Sequence, residues 1–440
     1  MISFQSCLNR LLPSILFGCL LFGTAEAATL PPAADLAARG TSVRIAVFPV
    51  ENLSGTPVPL REITAELHEV LGRAGVLTVE PAAIERFIEG HRLRYLGGID
   101  ETTAALLRAE TGADAVLIST IELYSEVSPP KFSMISRMVS LKEVPEIVWM
   151  ESVGIAGDDA PGILGLGLIE DLTLLRGKGV GLIGASLKRH LSAPPVRRER
   201  VSARERREEE PFTLKTLVKG ITTEKRLLTD PSYSRTGSPD KGEQPDKTVT
   251  AADTALKLKP PAGLFKSRFN PLGWYSSRDP LVAQERSIAI IPFFNRSTRK
   301  HAAELQVLHL AAQLVTDGNF RVLEFGVIRD KLLSMHVVMS DGISIPGLDL
   351  VGISLGVDLL LNGVVFDYLD TVGYGSSPRV DFSMQMFDRD NKKILWSSHS
   401  HNQGDDKVYF FDYGRVATAG ALADNMCRAL VLKLVENAGE

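Results

Sequence analysis

The sequence lacks most of the features that would name a reaction. Only three of its 440 residues are cysteine, too few for a disulfide scaffold. Lys and Arg total 49 against 53 Asp and Glu, a net charge of −4, so the basic excess of a dedicated nucleic-acid binder is missing. No apolar run reaches the ~18 residues a membrane-spanning helix needs. There is no Gly-x-Ser-x-Gly nucleophile elbow and no phosphate-binding Walker loop. Hydrophobic residues make up 44% and charged residues 23%, ordinary globular usage, so the chain can bury at least one sizeable core.

What is present begins with an address. Residues 1–27 read as a secretory signal peptide, with Arg10 as the positive region, Leu11 to Phe22 as the apolar stretch and Ala25-x-Ala27 before the expected cut. Leu16-Phe17-Gly18-Cys19 offers a second route, a lipobox-like stretch that would put lipid on Cys19 and tether the chain without spanning a membrane. Both routes imply export from a bacterium, to the periplasm or the outer-membrane surface. A cut after Ala27 leaves Cys427 alone.

The second signal is self-similarity. Arg44-Ile45-Ala46-Val47-Phe48-Pro49-Val50-Glu51-Asn52 returns as Ser287-Ile288-Ala289-Ile290-Ile291-Pro292-Phe293-Phe294-Asn295. Gly112-Ala113-Asp114 returns as Gly356-Val357-Asp358, Glu146-Ile147-Val148-Trp149 as Lys393-Ile394-Leu395-Trp396, and Asp158-Asp159 as Asp405-Asp406. The anchors keep their order, which implies an internal duplication: a first repeat over 43–192 and a second over 286–440.

Each repeat opens with an apolar run ended by proline, a buried strand that stops where the N–H is missing. Asn-x-Ser then supplies turn and capping chemistry. Ile63, Leu67, Val70 and Leu71, or Leu305, Leu308, Ala312 and Val315, share one helical face. A short strand, a second helix (Ile84 and Phe87, or Ile328 and Leu332) and a Gly-x-Asp turn lead to a third strand at Ala115–Ile121 or Leu359–Phe366. Antiparallel strands follow; Val380, Phe382, Met384 and Met386 alternate with polar residues. The alternation puts Ile394, Trp396 and Ser398 on one face. A last helix closes each repeat, near Gly179–Leu191 and Val416–Glu436. The fold class is α/β in the sense of an α+β mixed sheet, twice over.

Between the repeats the character changes. Residues 193–280, a fifth of the chain, hold ten of its 24 prolines, and 197–210 is a dense mixed-charge run. Such a stretch buries too little apolar surface to offset its ordering entropy, and reads as a flexible linker.

The pattern at 45–55, Gly112-Ala113-Asp114 before an apolar strand, and Lys393-Ile394-Leu395-Trp396-Ser397 after an Asp-rich turn resemble the CsgG and TolB-N-terminal-like envelope domains, in both repeats and not in the linker. The resemblance implies an exported scaffold or oligomeric part of secretion, flagellar or cell-wall machinery, often a lipoprotein and generally not an enzyme. One branch forms a ring-shaped outer-membrane channel. Its lipid-facing strands would need ~9–11 alternating residues; Phe132 to Leu141 comes nearest, but Arg137, Ser136 and Ser140 interrupt its faces.

Other chemistry is weakly signalled. Gly179-x-Gly181-x-x-Gly184 matches a dinucleotide fingerprint but runs into the linker, where the required second strand and acid are missing; a glycine-rich helix entry is the simpler reading. His399 and His401 share a strand face, with Asp405 and Asp406 nearby, and would hold a metal only if a third ligand converged; the first repeat has Gly154 and Ala156 at the matching place. Trp149 and Trp396 suit core packing or a binding platform. Pro49, Asn52, Gly112, Asp114 and Pro292, Asn295, Gly356, Asp358 are turn motifs of the fold.

The reading is therefore a non-catalytic, exported tandem-domain scaffold or assembly factor, with no cofactor and no nucleic acid. Its partners would be envelope proteins or further copies of itself, with peripheral outer-membrane association. A CsgG-like secretion channel and a periplasmic metal-binding protein or hydrolase are the alternatives. The two modules would act through a long tether that raises effective concentration, and their exposed sheet edges would recruit partners by strand addition.

Overall fold

The computed structural model describes residues 43–159, 167–193, 268–277, 285–337, 343, 345–373, 377–408 and 414–436. The signal-peptide reading, Cys19 and most of the linker lie outside these residues.

The first half runs β1 (Arg44–Val47), β2 (Glu51–Asn52), α1 (Leu60–Arg73), β3 (Leu77–Thr78), α2 (Pro81–Gly90), α3 (Glu101–Thr111), β4 (Ala115–Ser125), β5 (Lys131–Ser140), β6 (Glu146–Ala156) and α4 (Leu172–Ser192). After β7 (Gly273–Ser276), the second half runs β8 (Arg286–Ile290), β9 (Phe294–Asn295), α5 (Ala302–Asp317), β10 (Phe320–Leu323), α6 (Phe325–Ser334), α7 (Ile345–Leu355), β11 (Leu359–Leu369), β12 (Arg379–Asp388), β13 (Lys393–Gln403) and α8 (Ala419–Glu436). The described residues form an α+β fold with one mixed sheet of 13 strands.

The sheet order is β3-β1-β4-β5-β6-β10-β8-β11-β12-β13-β7. Its second five strands repeat the order of its first five. In each half the opening strand is flanked by parallel neighbours, and the long strands then continue antiparallel. The turn motifs repeat to the atom. Asn52 Oδ1 accepts from Ser54 N at 2.9 Å while its Nδ2 donates to Thr56 O at 2.7 Å; Asn295 makes the same bonds with Ser297 N at 2.9 Å and Arg299 O at 2.7 Å. Gly112 and Gly356 end α3 and α7 at φ +66° and +65°, a left-handed conformation that costs glycine little. Asp114 and Asp358 then accept from Arg44 N and Ser287 N across the neighbouring strand. Pro49 and Pro292 each follow the opening strand.

Several expectations are corrected. The halves are not modules on a tether: β6 and β10 pair antiparallel, with Ile147 opposite Val322, and one apolar cluster contains Ile118 and Ile135 of the first half with Leu310, Phe382 and Leu430 of the second. Two sheet edges expected to be exposed are thus used against each other. A third, β13, is covered by β7, so residues 268–277, within the stretch read as flexible, hold a strand. Helix α4 begins at Leu172, capped by Asp171 Oδ1 on Thr173 N at 2.7 Å. The sequence reading has this helix enter near Gly179, but Gly179 lies inside it, as does Gly184. A Cβ on them would come within 2.6 Å of the Phe132 ring and 2.2 Å of Val70; their smallness lets α4 lie close on β5 and α1. Helices α3 and α7 are additions to the sequence reading. Finally, a bulge sets Met386 against Trp396 and Phe387 against Ile394. It puts Ile394 and Trp396 on opposite faces, because an extra residue breaks the two-residue period. The first half has the same bulge, with Met138 on Trp149 and Val139 on Ile147.

Backbones of the two halves meet closely at Gly98 and Gly326; a Cβ on Gly326 would sit 2.3 Å from Ile99 N. Gly326→Ala is expected to cost about 1–3 kcal/mol, the usual range for overpacking, read as a lower urea midpoint. Because the core is shared, urea should unfold both halves of the wild type in one transition.

Candidate functional site

The long strands of the first half carry charges where the sequence suggests apolar faces. On β4 and β5, Glu122, Arg137 and Lys131 are all buried, beneath the second half. Unpaired, each would be costly there. Each is matched instead. Arg137 Nε and Nη2 donate to Glu324 at 3.2 and 3.0 Å, Nη2 also donates to Gly97 O at 2.6 Å, and the Phe325 ring lies 5.1 Å from the guanidinium. Lys131 Nζ donates to Thr371 O at 2.7 Å and Ala417 O at 2.8 Å.

Glu122 is the hub. It accepts from Ser133 Oγ at 2.8 Å and from the Tyr368 hydroxyl, and lies 3.2 Å from His309 Nε2. Arg299 donates to Glu122 O at 2.6 Å and to Asp370 at 2.7 Å. Burial pushes the Glu122 carboxyl upward, but His309, Arg299 and Tyr368 together hold it down to about 2. Burial drives Tyr368 well above the usual phenol range and raises Asp370 despite Arg299 beside it. With Glu122 and His309 both fully enclosed, the network works as a glue between halves.

The corresponding face of the second half is open. All ten residues of β5 are buried, whereas β12 alternates between buried and accessible positions. Helices α5 and α8 lie against β6, and α8 also packs on the opposite face of β12 and β13. On the other face, α6 and α7 pack on Phe387 at one end of β12, and beyond them Gln385, Ser397 and His399 help to line a groove of about 860 Å³. Tyr275 of β7 rims it at 57% exposure, and Phe366 is exposed beside His399, ring centroids 5.9 Å apart.

His399 and His401 lie on this open face. Their neighbour is Asp381, at 3.5 Å from His399 Nε2 and 3.1 Å from His401 Nδ1. Asp405 and Asp406, expected near them, serve turns instead: Asp405 accepts from Ser377 Oγ and Asp406 from Gln403 N. Among the described residues no group of three or more His, Cys, Asp or Glu is placed to hold a metal. Trp149 and Trp396 are buried in the cores. Asp159 accepts from Ala156 N at 2.7 Å, and burial raises its pKa. Sequence reasoning missed Glu122, His309, Glu324 and Tyr368. The available signal was a glutamate and an arginine inside strands otherwise fit for a core.

Arg137→Ala strands Glu324 without its partner and is expected to cost about 3–5 kcal/mol, whereas Arg137→Met with Glu324→Leu should cost far less; urea unfolding of the wild type and these two variants checks both. Glu122, held below the ordinary carboxylate value of 4.5, stabilises the fold above that value and loses this contribution as pH falls toward 2. The wild-type urea midpoint should drop over that window, and Glu122→Gln should lack this part of the drop.

No protein-family profile and no curated protein matches the sequence. Among solved structures, the chain is similar to the PelC dodecamer from Paraburkholderia phytofirmans, at 14% identity over 38% of this chain and 98% of that one, TM-score 0.26. It is also similar to lipoprotein GNA1162 from Neisseria meningitidis, at 22% identity over 33% and 99%, TM-score 0.25. E. coli LpoB is similar at 16% identity over 48% and 95%, TM-score 0.23.

Proposed function

We propose that this chain is an exported, non-catalytic scaffold of the bacterial cell envelope that binds protein partners on the open face of β11, β12 and β13. The contrast between the halves carries the reading. The same sheet face is sealed in the first half and accessible in the second, with exposed aromatic residues at its rim. Aromatic anchors with a polar surround are the usual composition of a protein-binding patch. The strongest electrostatic features, around Glu122 and Arg137, are enclosed and act on the fold rather than on a substrate.

Export is supported by the basic segment, apolar stretch and Ala-x-Ala exit at residues 1–27, and by the likeness of the 45–55 motif to CsgG and TolB-N-terminal-like domains. The channel alternative is less favoured. Its best lipid-facing strand, Phe132–Leu141, falls on β5, which is buried on both faces. The metal-binding alternative is less favoured, since among the described residues Asp381 beside His399 and His401 does not complete a group placed to hold a metal.

The test compares the wild type with Tyr275→Asp/Gln385→Arg, both on exposed positions of the open face. After crosslinking in envelope fractions, the variant should retain about tenfold less bound protein, as expected where a central contact worth ~1.4 kcal/mol or more is lost, at an unchanged thermal midpoint. Equal recovery by both proteins overturns the reading.

A further inference from the structure

The way the two halves meet within one chain supplies a pattern for the occupant of the open face. In the first half, β6 faces helices of the second half. Ser152 Oγ lies 3.4 Å from His309 Nδ1 on α5. A Cβ on Gly154 would meet Ala421 Cβ of α8 at 3.3 Å and Thr418 Oγ1 at 2.5 Å. At the edge of the sheet, Ile147 pairs with Val322.

Strand register and helix ends give the counterpart of each residue in the other half. The matched bulges equate Ile147 with Ile394, Ser152 with His399 and Gly154 with His401, which corrects the expected match of the two histidines to Gly154 and Ala156. The starts of α4 and α8 equate Asp171 with Thr418 and Leu174 with Ala421. The left-handed glycines after α1 and α5, Gly75 and Gly318, equate Glu66 with His309. The β1–β3 and β8–β10 registers equate Thr78 with Val322.

We propose that the chain self-associates head to tail, the α1–α4 face of one copy seated on the open β11–β13 face of the next, as α5 and α8 are seated on β6 within each copy. This rests on the reading of that face as a protein-binding surface and names its partner. The contact would set Glu66 against His399 and Asp171 against His401, giving each imidazole a carboxylate from the neighbouring copy. Leu174, 67% exposed on α4, takes the place of Ala421 opposite His401. Leu174 and His401 are larger than the residues they replace, so the interface between copies is wider than the one within the chain. Among the described residues, strand β7 pairs with Trp396–His399 of β13 and none pairs with the outer side of Lys393–Ile394, the counterparts of the pair that meets β10. In the proposed contact that stretch meets the outer edge of the sheet in the next copy, where Thr78 would oppose Ile394 and Leu77 is 53% exposed. Such a contact joins two different surfaces, so it closes into a ring or extends as a filament rather than stopping at a dimer.

The test uses the full exported chain with Leu174→Cys and His401→Cys together and a short bismaleimide. The expected result is a ladder of dimers, trimers and larger species on a denaturing gel, with neither single variant giving it. Sedimentation of the wild type should show assemblies larger than two copies. Leu174→Glu, at an exposed position, should weaken association about tenfold or more with no change in thermal midpoint. A wild type that sediments as a monomer, or a double variant with no more ladder than the singles, overturns the proposal. If Tyr275→Asp/Gln385→Arg still releases other envelope proteins from that monomer, the open-face reading stands and only self-association fails. If it releases nothing, both fail.

Discussion

The structure depends on how charges in the middle of one sheet face are matched by the other half of the chain. Arg137 and Glu324 are almost wholly removed from water, and so are Glu122 and His309. A buried charge without a partner is far more costly than an exposed one. Here Arg137 and Glu324, and likewise Glu122 and His309, lie 187 residues apart in sequence. The first half therefore cannot bury this face by itself without leaving Arg137 and Glu122 uncompensated. The second half supplies Glu324, His309, Arg299 and Tyr368 together with apolar cover from α5 and α8. Such pairs contribute less to net stability than their Coulomb attraction suggests. Their effect is to make one arrangement of the halves much better than a slid or rotated one.

Two layers of construction follow. The first is local and occurs twice: a strand ended by proline, an asparagine turn, a left-handed glycine, an aspartate bonded to the opening strand, and a bulge before the tryptophan. These devices use short-range hydrogen bonds and backbone conformation, and each half builds them unaided. The second layer breaks the symmetry. Where the first half has Gly154, Ser152 and Arg137, the second has His401, His399 and Gln385. The first set is small or paired and suits a sealed interface. The second is accessible and polar, and leaves a surface on which binding can occur.

Much of the fold was legible because its signals were local. Pro49 and Pro292, Asn52 and Asn295, and Gly112 and Gly356 mark turns by chemistry independent of distant contacts. The alternation from Val380 to Met386 marks a strand with one buried face. Two failures have physical causes. A glycine-rich helix entry is expected at Gly179, but Gly179 and Gly184 lie within α4, where their missing side chains allow close packing on Phe132 and Val70. Ile394 and Trp396 were put on one face because a bulge leaves little trace in a string of residues. The site was less legible. His399 and His401 were visible as a pair, but Asp381 rather than Asp405 or Asp406 is their neighbour, since strand pairing and not sequence distance decides which side chains meet.

From the sequence come the export signal and the internal repeat as expectations, together with the mixed α/β class and the local turns, since each rests on composition, periodicity or side chains a few residues apart. Only the tertiary structure decided that the halves form one sheet with a shared core, that Arg137 meets Glu324, that β7 covers the β13 edge, and that one face stays open. Those outcomes depend on which surfaces meet after long stretches of chain have closed, and the residues that decide them are far apart in sequence.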